Sequence, residues 1–537
     1  MPAWNYILRG GWVFDGRGGK PRVGDVAVED DRLDAVGEVH GDSGTAPPSA
    51  LKILDCSGLA VAPGFIDVHT HSDLSLLAGP EADTHVAQGV TTNVCGNCGN
   101  SPFPARGPRA ERLAETAAQY GLKVDWKGLP GYLKRIEKTP AAINRGLLVG
   151  HGAVRASVLG YDNRPPNEEE LEAMRQEVRK AMKLGCLGLS TGLIYPPGMY
   201  AETGEIVDLA RVAAESGGVY ASHMRSEGAA LEESLAEFIR VGLEAKIPAV
   251  LSHIKVSGRE NWDKIDALIG ELEKAVGKGL KLTADRYPYT ASETSLDVLL
   301  PAWVFEGGRA KQLQRLKQKT SRNRISRELA NIHPEVDSWQ DVIVGSVKSN
   351  DLKDLQGRSI AEIAAERDES PVKTYLDILV EDESETSAMY HQLSEDHLER
   401  LLQLPWVMVG SDSSARASKG PSVASHPHPR GCGSFARVLG RYVREKKLLS
   451  LEEAIRRMTS LPAETFGLTG RGRLEAGCFA DITVFDPEKV RDKATFRSPK
   501  KPSEGIRHVF VNGRPIMLDG KRTEERPGRL LRREDGR

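Results

Sequence analysis

The sequence predicts an α/β protein: a TIM-type (β/α)₈ barrel with a small β-sandwich formed by both chain termini and an inserted module after barrel strand 7. Three observations predict it. Short apolar runs recur between about residues 60 and 470, a charged amphipathic stretch follows each run, and short alternating strands stand at both chain ends. Apolar runs that alternate with helical patterns indicate βα units, and eight such units close a barrel.

Eight apolar runs are the candidate barrel strands. They end near Val68, Val94, Val149, Leu189, Ala221, Leu251, Ala284 and Val409. Helices are expected between them, for example over 167–184, 227–245 and 263–276, where apolar residues recur at helical spacing among Glu, Lys and Arg. Because barrel enzymes carry their chemistry at the C-terminal ends of the strands, polar residues just after these runs are the first site candidates.

Two regions fall outside the βα rhythm. Residues 1–61 and 470–537 show short alternating strands with Gly turns, and we expect them to meet in one β-sandwich, which leaves 62–469 for the barrel. Residues 291–345, rich in Arg, Lys, Gln and Trp, are the inserted module, and their place after a strand's C-terminal end predicts a lid or substrate-selecting role. The Arg-rich stretch after Lys521 has the composition of a loosely ordered tail.

Composition narrows the class of protein. The chain has 537 residues and a formal net charge of -2, so it lacks the basic excess that nucleic acid attracts. No apolar run reaches the roughly 18–20 residues of a membrane span, and Arg9 and Asp15 interrupt the N-terminus before a signal-peptide core could form. We therefore expect a cytoplasmic protein with a small-molecule substrate. Six irregularly spaced cysteines argue against a disulfide framework, and the oligomeric state stays open.

The strongest local signal is the segment GFIDVHTHSD, which delivers His69 and His71 two positions apart. In a strand, residues i and i+2 point the same way, so both imidazoles can face one point at the barrel mouth. His223 and His253 end the fifth and sixth runs, and Asp412 ends the eighth. Imidazole and carboxylate ligands suit Zn²⁺ and related divalent ions. Three other histidines are treated as bystanders, which means that they are not expected to bind metal: His85, His151 and His426.

Two neighbouring metal ions need an anionic bridge, which a carboxylated lysine on the fourth strand supplies in many barrel hydrolases. Here the fourth run ends in CLGLSTG, without a lysine. A thiolate from NVCGNCG, directly after the second run, can carry the required charge. Cys98 is the preferred bridging ligand and Cys95 is the alternative. A redox pair or two buried structural thiols are the other interpretations of this motif.

At these residues the chain resembles the N-acyl-D-amino-acid deacylase (D-aminoacylase) family of the amidohydrolase superfamily. The similar segments keep one order along nearly the whole chain: GFIDVHTHSD, QGVTTNVCGNCGNSPFP, STGLIYPPGMYAETGEI, SHMRSEG, SHIKVSG, ADRYPYTAS and HPRGCGSFARVLGRYVRE. The stretch 413–428, between Asp412 and the HPR element, is unusually long for the family. It leaves the local loop geometry and the role of Arg430 open.

The resemblance implies a metal centre as well as the fold. A tight zinc site would use Cys98, His223 and His253. A second and weaker divalent-ion site would use His69, His71, Cys98 and Asp412. Zinc would address the weakness of water as a nucleophile by lowering its pKa to roughly 7. Asp412, beside the metal, would act as general base and then as general acid towards the leaving nitrogen. A pure ligand role, or capping of a Ser-Asp-Ser-Ser turn, is the alternative for Asp412.

A free α-carboxylate on the substrate calls for a fixed cation and hydroxyl donors. Lys255 and Tyr287 are the first candidates, and Arg430 and Tyr195 are weaker ones. No basic residue occurs in 290–305, so the sequence predicts neutral or hydrophobic D-side chains in preference to acidic ones.

Two other classes compete with this interpretation. A cyclic-amide hydrolase, of the hydantoinase or dihydroorotase kind, shares the barrel and the HxH strand, but the absent fourth-strand lysine weighs against it. Barrel relatives that lost their metals and serve in assembly are the second alternative. Retention of all five His and Asp positions weighs against that class.

Overall fold

The computed structural model describes residues 4–37, 50–332, 339–420 and 425–533. The strands are β1 (Trp4–Val13), β2 (Arg22–Glu29), β3 (Arg32–Gly37), β4 (Ala50–Asp55), β5 (Ala60–Pro63), β6 (Phe65–Asp67), β7 (Val90–Cys95), β8 (Asn144–Gly150), β9 (Gly188–Gly192), β10 (Val219–His223), β11 (Ala249–Leu251), β12 (Leu282–Arg286), β13 (Ser292–Ser295), β14 (Val342–Val344), β15 (Ser387–Tyr390), β16 (Val407–Val409), β17 (Ile482–Phe485), β18 (Ile506–Val511), β19 (Arg514–Leu518), β20 (Lys521–Arg522) and β21 (Leu530–Leu531).

The α-helices are α1 (Ser75–Ala78), α2 (Asp83–Val86), α3 (Pro108–Gln119), α4 (Leu129–Glu137), α5 (His151–Val158), α6 (Glu168–Lys183), α7 (Thr203–Glu215), α8 (Leu231–Glu244), α9 (Ile265–Gly277), α10 (Arg309–Lys317), α11 (Lys319–Ile332), α12 (Ile360–Arg367), α13 (Pro371–Glu381), α14 (Glu395–Gln403), α15 (Arg430–Arg437), α16 (Leu451–Met458) and α17 (Ser460–Phe466). A π-helical segment, Val438–Glu445, continues α15. Among the described residues, no helix combines the length and the apolar character that crossing a bilayer requires.

The centre of the molecule is a parallel barrel of eight strands, β6 to β12 followed by β16, paired in chain order. The two end strands, β6 and β16, meet at the C-terminal rim. There Thr70 forms a parallel bridge with Ser413, and the backbone N–H of Asp412 donates to the carbonyl oxygen of His69 over 2.8 Å. The predicted barrel is confirmed, and the segments that close it are those that carry candidate ligands.

Local sequence explains both the barrel strands and the helices around them. β8 is buried along its whole length, as expected for a strand covered by side chains inside and by helices outside. The predicted helix over 167–184 is observed as α6, which begins at a capping box between Asn167 and Glu170 and buries Met174 and Val178. Burial of such an apolar stripe against the strands stabilises each βα unit.

The two chain termini build one nine-stranded sheet, joined where β5 pairs antiparallel with β17. The rings of Tyr6 on β1 and Phe510 on β18 lie 5.1 Å apart, although these strands are not neighbours in the sheet. The sheet therefore folds over a shared apolar core, which includes Leu8, Val26 and Ile482. This is the predicted β-sandwich.

As far as residue 533, the stretch after Lys521 differs from the expected loose tail; residues 534–537 lie outside the described part of the chain. β21 pairs in parallel with the N-terminal end of β8, and Leu531 joins the apolar interior of the barrel. Arg522 and Arg529 form ion pairs with Asp83 and Asp31. The expectation is wrong because these basic side chains find acidic partners that are distant in the sequence.

The inserted module lies between β12 and β16 and contains the antiparallel sheet β13–β15–β14. Ser292 pairs with Tyr390, so the third strand of this sheet comes from well beyond residue 345. Its core is formed by Leu296, Val304, Leu316, Val342, Tyr375, Leu379 and Ala388, among others. We therefore propose 291–390 as its extent, longer than the 291–345 that the sequence pattern indicates. Residues 333–338 of the module lie outside the described residues.

Candidate metal centre and active site

Four predicted ligands converge at the C-terminal ends of the barrel strands. Donor atoms of His69, Cys98, His253 and Asp412 all lie within 4.8 Å of one another. Each residue follows a different barrel strand, so the parallel topology, and not proximity in the sequence, brings them together. A second group with the same spacing shares His253 and adds His223 and Glu227.

Cys98 lies between three imidazoles. Its Sγ is 3.3 Å from His69 Nε2, 3.9 Å from His223 Nδ1 and 3.7 Å from His253 Nε2. Cys95 is in neither donor group; its Sγ lies 3.5 Å from Thr70 Oγ1. Burial raises the pKa of Cys95, which keeps it a neutral thiol. Of the two candidate cysteines, the structure brings only Cys98 to the cluster.

Three of these residues have left-handed backbone: φ is 51° at Cys98, 37° at His253 and 50° at Asp412. Such values are uncommon for residues other than Gly and cost about 1–3 kcal/mol each. Strain of this kind persists only where the surroundings hold it. Here it aims donor atoms from three different loops at one region.

Ser190 on β9 holds the loop that carries Cys98. Its hydroxyl donates to the carbonyl oxygen of Gly96 and accepts from the backbone N–H of Gly99 over 3.1 Å. The fourth strand has no lysine. Its Ser190 instead fixes the loop that carries Cys98.

Asp285, near the end of β12, orients two histidines. Its Oδ2 lies 3.1 Å from His69 Nδ1, and its Oδ1 accepts from the backbone N–H of His253 over 3.0 Å. A carboxylate on Nδ1 leaves Nε2 of His69 free to face Cys98. The sequence prediction missed this residue. Its signal is an acidic residue directly after Ala284, where the seventh strand was expected to end.

The cluster concentrates negative charge on two groups. Burial raises the pKa of the Cys98 thiol, but the charge of His69 and hydrogen bonds from His223 and His253 outweigh it and hold that pKa well below its usual range. Burial also raises the pKa of Asp412, and the charges of Arg430 and His69 reverse this effect. These contacts therefore favour the anionic form of both groups, the form in which a thiol or a carboxyl can bind a metal.

His71 lies at the rim of the cluster. Its Nε2 is 3.1 Å from Asp412 Oδ1. Burial lowers the pKa of His71, but its hydrogen bonds with Asp412 and Cys98 raise it to about 9. His71 thus faces the same carboxylate oxygen as His69, whose Nε2 lies 3.4 Å from Asp412 Oδ1.

Lys255 is buried beside the cluster. Its Nζ lies 2.5 Å from Glu227 Oε1 and 2.8 Å from His253 Nδ1. Burial raises the pKa of Glu227, but the charges of Lys255 and the two nearby histidines lower it well below its usual range. Glu227 is a second residue that the sequence prediction missed. It comes four positions after His223, as the last residue but one of SHMRSEG.

Arg430 begins α15 and binds Asp412 directly: its Nη1 donates to Asp412 Oδ2 over 2.7 Å. Its guanidinium also lies 4.7 Å from the ring centre of Tyr287. The long stretch 413–428 thus still returns Arg430 to the centre, although residues 421–424 lie outside the described part of the chain. The Tyr195 ring lies 5.1 Å from that of His223, and its hydroxyl is 2.9 Å from Thr294 Oγ1.

The three bystander histidines stay outside the donor groups. His85 Nε2 lies 3.1 Å from Asp67 Oδ2, and Asp67 in turn accepts from the backbone N–H of Ser411. His151 and His426 bond to Glu205 and to the carbonyl oxygen of Phe496. His85 therefore braces the barrel rim without facing the cluster.

A cavity of about 1050 Å³ opens above the cluster between the barrel mouth and the inserted module. Nine predicted site residues line it: His71, Cys98, His223, His253, Asp412, Lys255, Tyr287, Tyr195 and Arg430. His69 belongs to the cluster but lies below the cavity, where its side chain is fully buried.

Comparison with known proteins then identifies the family. A model described as "Amidohydrolase family" matches residues 52–517. The chain belongs to the amidohydrolase family. This amidohydrolase is 37% identical over 528 residues to an N-acyl-D-glutamate deacylase of Alcaligenes xylosoxydans xylosoxydans, covering 98% of this chain and 96% of that protein. It is 35% identical to a D-aminoacylase of the same organism, covering 99% and 98%. The family predicted from the sequence is confirmed.

A solved structure supports the same grouping. The crystal structure of an N-acyl-D-glutamate deacylase from Bordetella bronchiseptica, complexed with zinc and a phosphonate inhibitor, superposes with a TM-score of 0.82. The two chains are 34% identical, over 98% of this amidohydrolase and 99% of that chain. The relatives of this chain are thus amide hydrolases, and at least one of them binds zinc.

Proposed function

We propose that this amidohydrolase cleaves the amide bond of N-acyl-D-amino acids, with Zn²⁺ as its metal. The observation that carries the proposal is the position of Cys98 among three imidazoles, on a barrel whose fourth strand has no lysine. Relatives named N-acyl-D-glutamate deacylase and D-aminoacylase support the same reaction class.

The donor set fits zinc. Thiolate sulfur with imidazole nitrogen is a ligand set that Zn²⁺ prefers, and the residues that would hold the tight ion are Cys98, His223 and His253. A second, weaker ion would be held by His69, His71, Cys98 and Asp412. When bound, such an ion supplies a Lewis acid that polarises the amide carbonyl and acidifies water.

Asp412 is the proposed proton carrier. Its Oδ2 is held by Arg430, while its Oδ1 faces His69 and His71, so the carboxylate is fixed at the edge of the cluster. An ionised carboxylate there can accept the proton of the attacking water and pass it to the leaving nitrogen. Arg430 would hold the carboxylate in the orientation that both transfers require.

Lys255 and Tyr287 are the proposed anchors of the substrate α-carboxylate. The Lys255 ammonium lines the cavity, where a substrate carboxylate would share it with Glu227. The Tyr287 hydroxyl is buried without a hydrogen-bond partner among the described residues. A buried hydroxyl that lacks a partner in the protein is suited to donate to a ligand.

The segment from Ser292 to Leu299 forms the wall against which we place the substrate side chain. Glu293, Asp297, Val298 and Leu299 line the cavity there, without a basic residue among them. An acidic side chain would meet two carboxylates and lose its water, which costs several kcal/mol per buried ion. Neutral and hydrophobic D-side chains are therefore favoured.

A turnover panel tests the proposal, with kcat/KM as the measurement. N-acetyl-D-leucine, -methionine and -phenylalanine should be hydrolysed faster than N-acetyl-D-glutamate and -aspartate, and all of these faster than their L-forms. Hydantoin and dihydroorotate belong on the panel and should not be turned over. A preference for D-glutamate would show that Arg309 or Lys311 of the module reaches the side chain. Faster cleavage of L-substrates or of the cyclic amides would refute the proposed reaction.

A further inference from the structure

The cavity has an outer lobe beyond the metal cluster, lined by Asn100, Arg109, Tyr161, Gly307, Gly308 and Arg309. These residues come from the loop after β7, from α3, from the loop after α5 and from the start of the inserted module. The total volume of about 1050 Å³ lies at the top of the range for pockets that hold drug-sized ligands. An N-acetyl amino acid is smaller than such a ligand, so the lobe has room for a longer substrate group.

Arg109 is a buried cation in this lobe. The residue is 8% exposed, and its Nη2 donates to Asn100 Oδ1 and to the carbonyl oxygen of Ser101, each over 2.8 Å. Both partners are neutral, and so is the side chain of Tyr161, which also hydrogen-bonds to Arg109. The Nε of Arg109 is buried without a hydrogen-bond partner among the described residues. A buried charge without a carboxylate in direct contact is costly, and an anionic ligand would relieve that cost.

The other two arginines of this region differ from Arg109. Arg112 and Arg309 both pair with Glu385, and they lie 3.2 Å and 3.3 Å from Glu115. Their charge is therefore balanced inside the protein. Among the described residues, no carboxylate lies within ion-pair distance of Arg109, although the charge of Asp73 acts on it from further away. Arg109 is therefore the cation of the lobe that is best placed to accept an external anion.

Backbone adds to the positive potential at Arg109. The residue stands in the first turn of α3, which runs from Pro108 to Gln119 and has no side-chain cap at its N-cap residue, Gly107. The N-terminus of a helix favours a nearby anion. Glu111 in the same turn already offsets part of this potential. The buried guanidinium is therefore the main feature that points to a negatively charged ligand.

We propose that the outer lobe binds a carboxylate at the far end of the acyl group, so that the substrates are N-acyl-D-amino acids with a dicarboxylic acyl chain such as succinyl or glutaryl. This inference rests on the proposed function, because it takes the metal cluster as the site of amide cleavage. An acidic amino-acid side chain could supply the same carboxylate. Glu293 and Asp297, which line the proposed side-chain wall, disfavour that source.

The position of Arg109 favours the acyl group as the source of the carboxylate. Asn100, which Arg109 binds, comes two residues after Cys98, and two residues span at most about 7 Å between Cα atoms. A succinyl group adds three C–C bonds of about 1.5 Å each beyond the amide carbonyl carbon. We therefore place the carboxylate of the acyl chain along the loop from Cys98 to Asn100, on the side of the cluster that leads to Arg109.

The test compares N-succinyl-D-leucine with N-succinamoyl-D-leucine, a neutral amide of nearly the same shape. The wild-type enzyme should favour the succinyl substrate by about tenfold or more in kcat/KM, since hydrogen bonds to charged groups are the stronger ones. In Arg109→Gln this ratio should fall to about one. Arg112→Gln is the matched control, on the same helix but paired with Glu385, and it should keep the ratio.

A ratio within one variant is independent of the fraction of enzyme that is folded and loaded with metal. It therefore separates charge recognition from the bracing of Asn100 and Ser101 by Arg109. A wild-type ratio near one, or an unchanged ratio in Arg109→Gln, would overturn the proposal. If Arg109→Gln instead reduced the rate for N-acetyl-D-glutamate relative to N-acetyl-D-glutamine, the carboxylate would come from the side chain and the acyl assignment would be wrong.

Direct binding keeps the inference separate from the proposed function. The calorimetric titration uses the Asp412→Asn variant, which should bind N-succinyl-D-leucine and N-succinamoyl-D-leucine with little hydrolysis. It should show the same preference in binding, and adding Arg109→Gln to that variant should remove the preference. If no N-acyl-D-leucine were hydrolysed but this binding preference remained, the proposed reaction would fail while the anion site stood. Equal binding of the two ligands would overturn the anion site.

Discussion

The two ends of the barrel differ in what they bury. At the C-terminal mouth, the strands lead into buried ionisable groups and into three non-Gly residues with left-handed backbone, at Cys98, His253 and Asp412. At the N-terminal end, the apolar interior is closed by residues from outside the eight barrel strands, Phe466 of α17 and Leu531 of β21. One end thus holds charge and strain that cost stability, while the other buries apolar surface that supplies it. Barrel enzymes separate catalysis from stability in this way.

The comparison predicts that changes at the mouth remove metal or activity and that changes at the opposite end remove only stability. The largest effect should follow from Cys98→Ala. Because this thiolate lies within 4 Å of three imidazoles, its loss should remove the tight zinc ion and with it nearly all activity. Metal analysis of the purified variant, beside kcat/KM, measures both.

Cys95→Ala is the matched control, since it is a buried thiol of the same motif that contacts Thr70 and no candidate ligand. It should keep its zinc and most of its activity. If Cys98→Ala kept zinc and Cys95→Ala lost it, the ligand assignment would be reversed.

The next effect separates two aspartates of the mouth. Asp412→Asn should keep the tight zinc ion but lower kcat by at least about 10²-fold, because an amide cannot carry the proton. Asp285→Asn should instead weaken zinc binding at both proposed sites by about 10- to 100-fold. Asp285 orients His69 of the weaker site and holds the backbone of His253 of the tight site. The measurements are zinc affinity and kcat at saturating zinc. Near-normal turnover in Asp412→Asn would leave that residue a structural role only.

The sequence predicts most of the fold because the fold follows local patterns. Apolar runs near Val149 and Leu189 mark real strands, and the capping box at Asn167 marks the start of a real helix. The candidate ligands are predictable for a related reason. Parallel strands place their C-terminal ends at one rim, so histidines at the ends of separate runs must lie near one another.

Other features depend on contacts that no local pattern encodes. Glu227 meets Lys255, and Asp285 meets His69, across different strands. β15, far along the chain, completes the sheet of the inserted module. This strand is too short to be recognised by periodicity. The basic tail resembles a disordered segment until its partners are known.

The smallest effect on catalysis should come from Leu531, at the end of the barrel opposite the cluster. Its side chain is 8% exposed and packs with Ile66, Leu148 and Phe466 inside the barrel. Leu531→Ala should lower the free energy of unfolding by about 2 kcal/mol, the lower limit for a buried leucine, because β21 lies at the edge of the cavity that the substitution would leave and can relax into it. The folded fraction should keep the kcat/KM of the wild type, since no candidate ligand or anchor contacts this residue.

Leu51→Ala is the matched control: that leucine is 70% exposed, and its loss should change the unfolding free energy by no more than about 0.5 kcal/mol. The measurements are the midpoint of thermal unfolding and kcat/KM on the same preparations. A fall in kcat/KM with an unchanged midpoint would show that the two ends of the barrel are coupled, and the division between a catalytic end and a stabilising end would not hold.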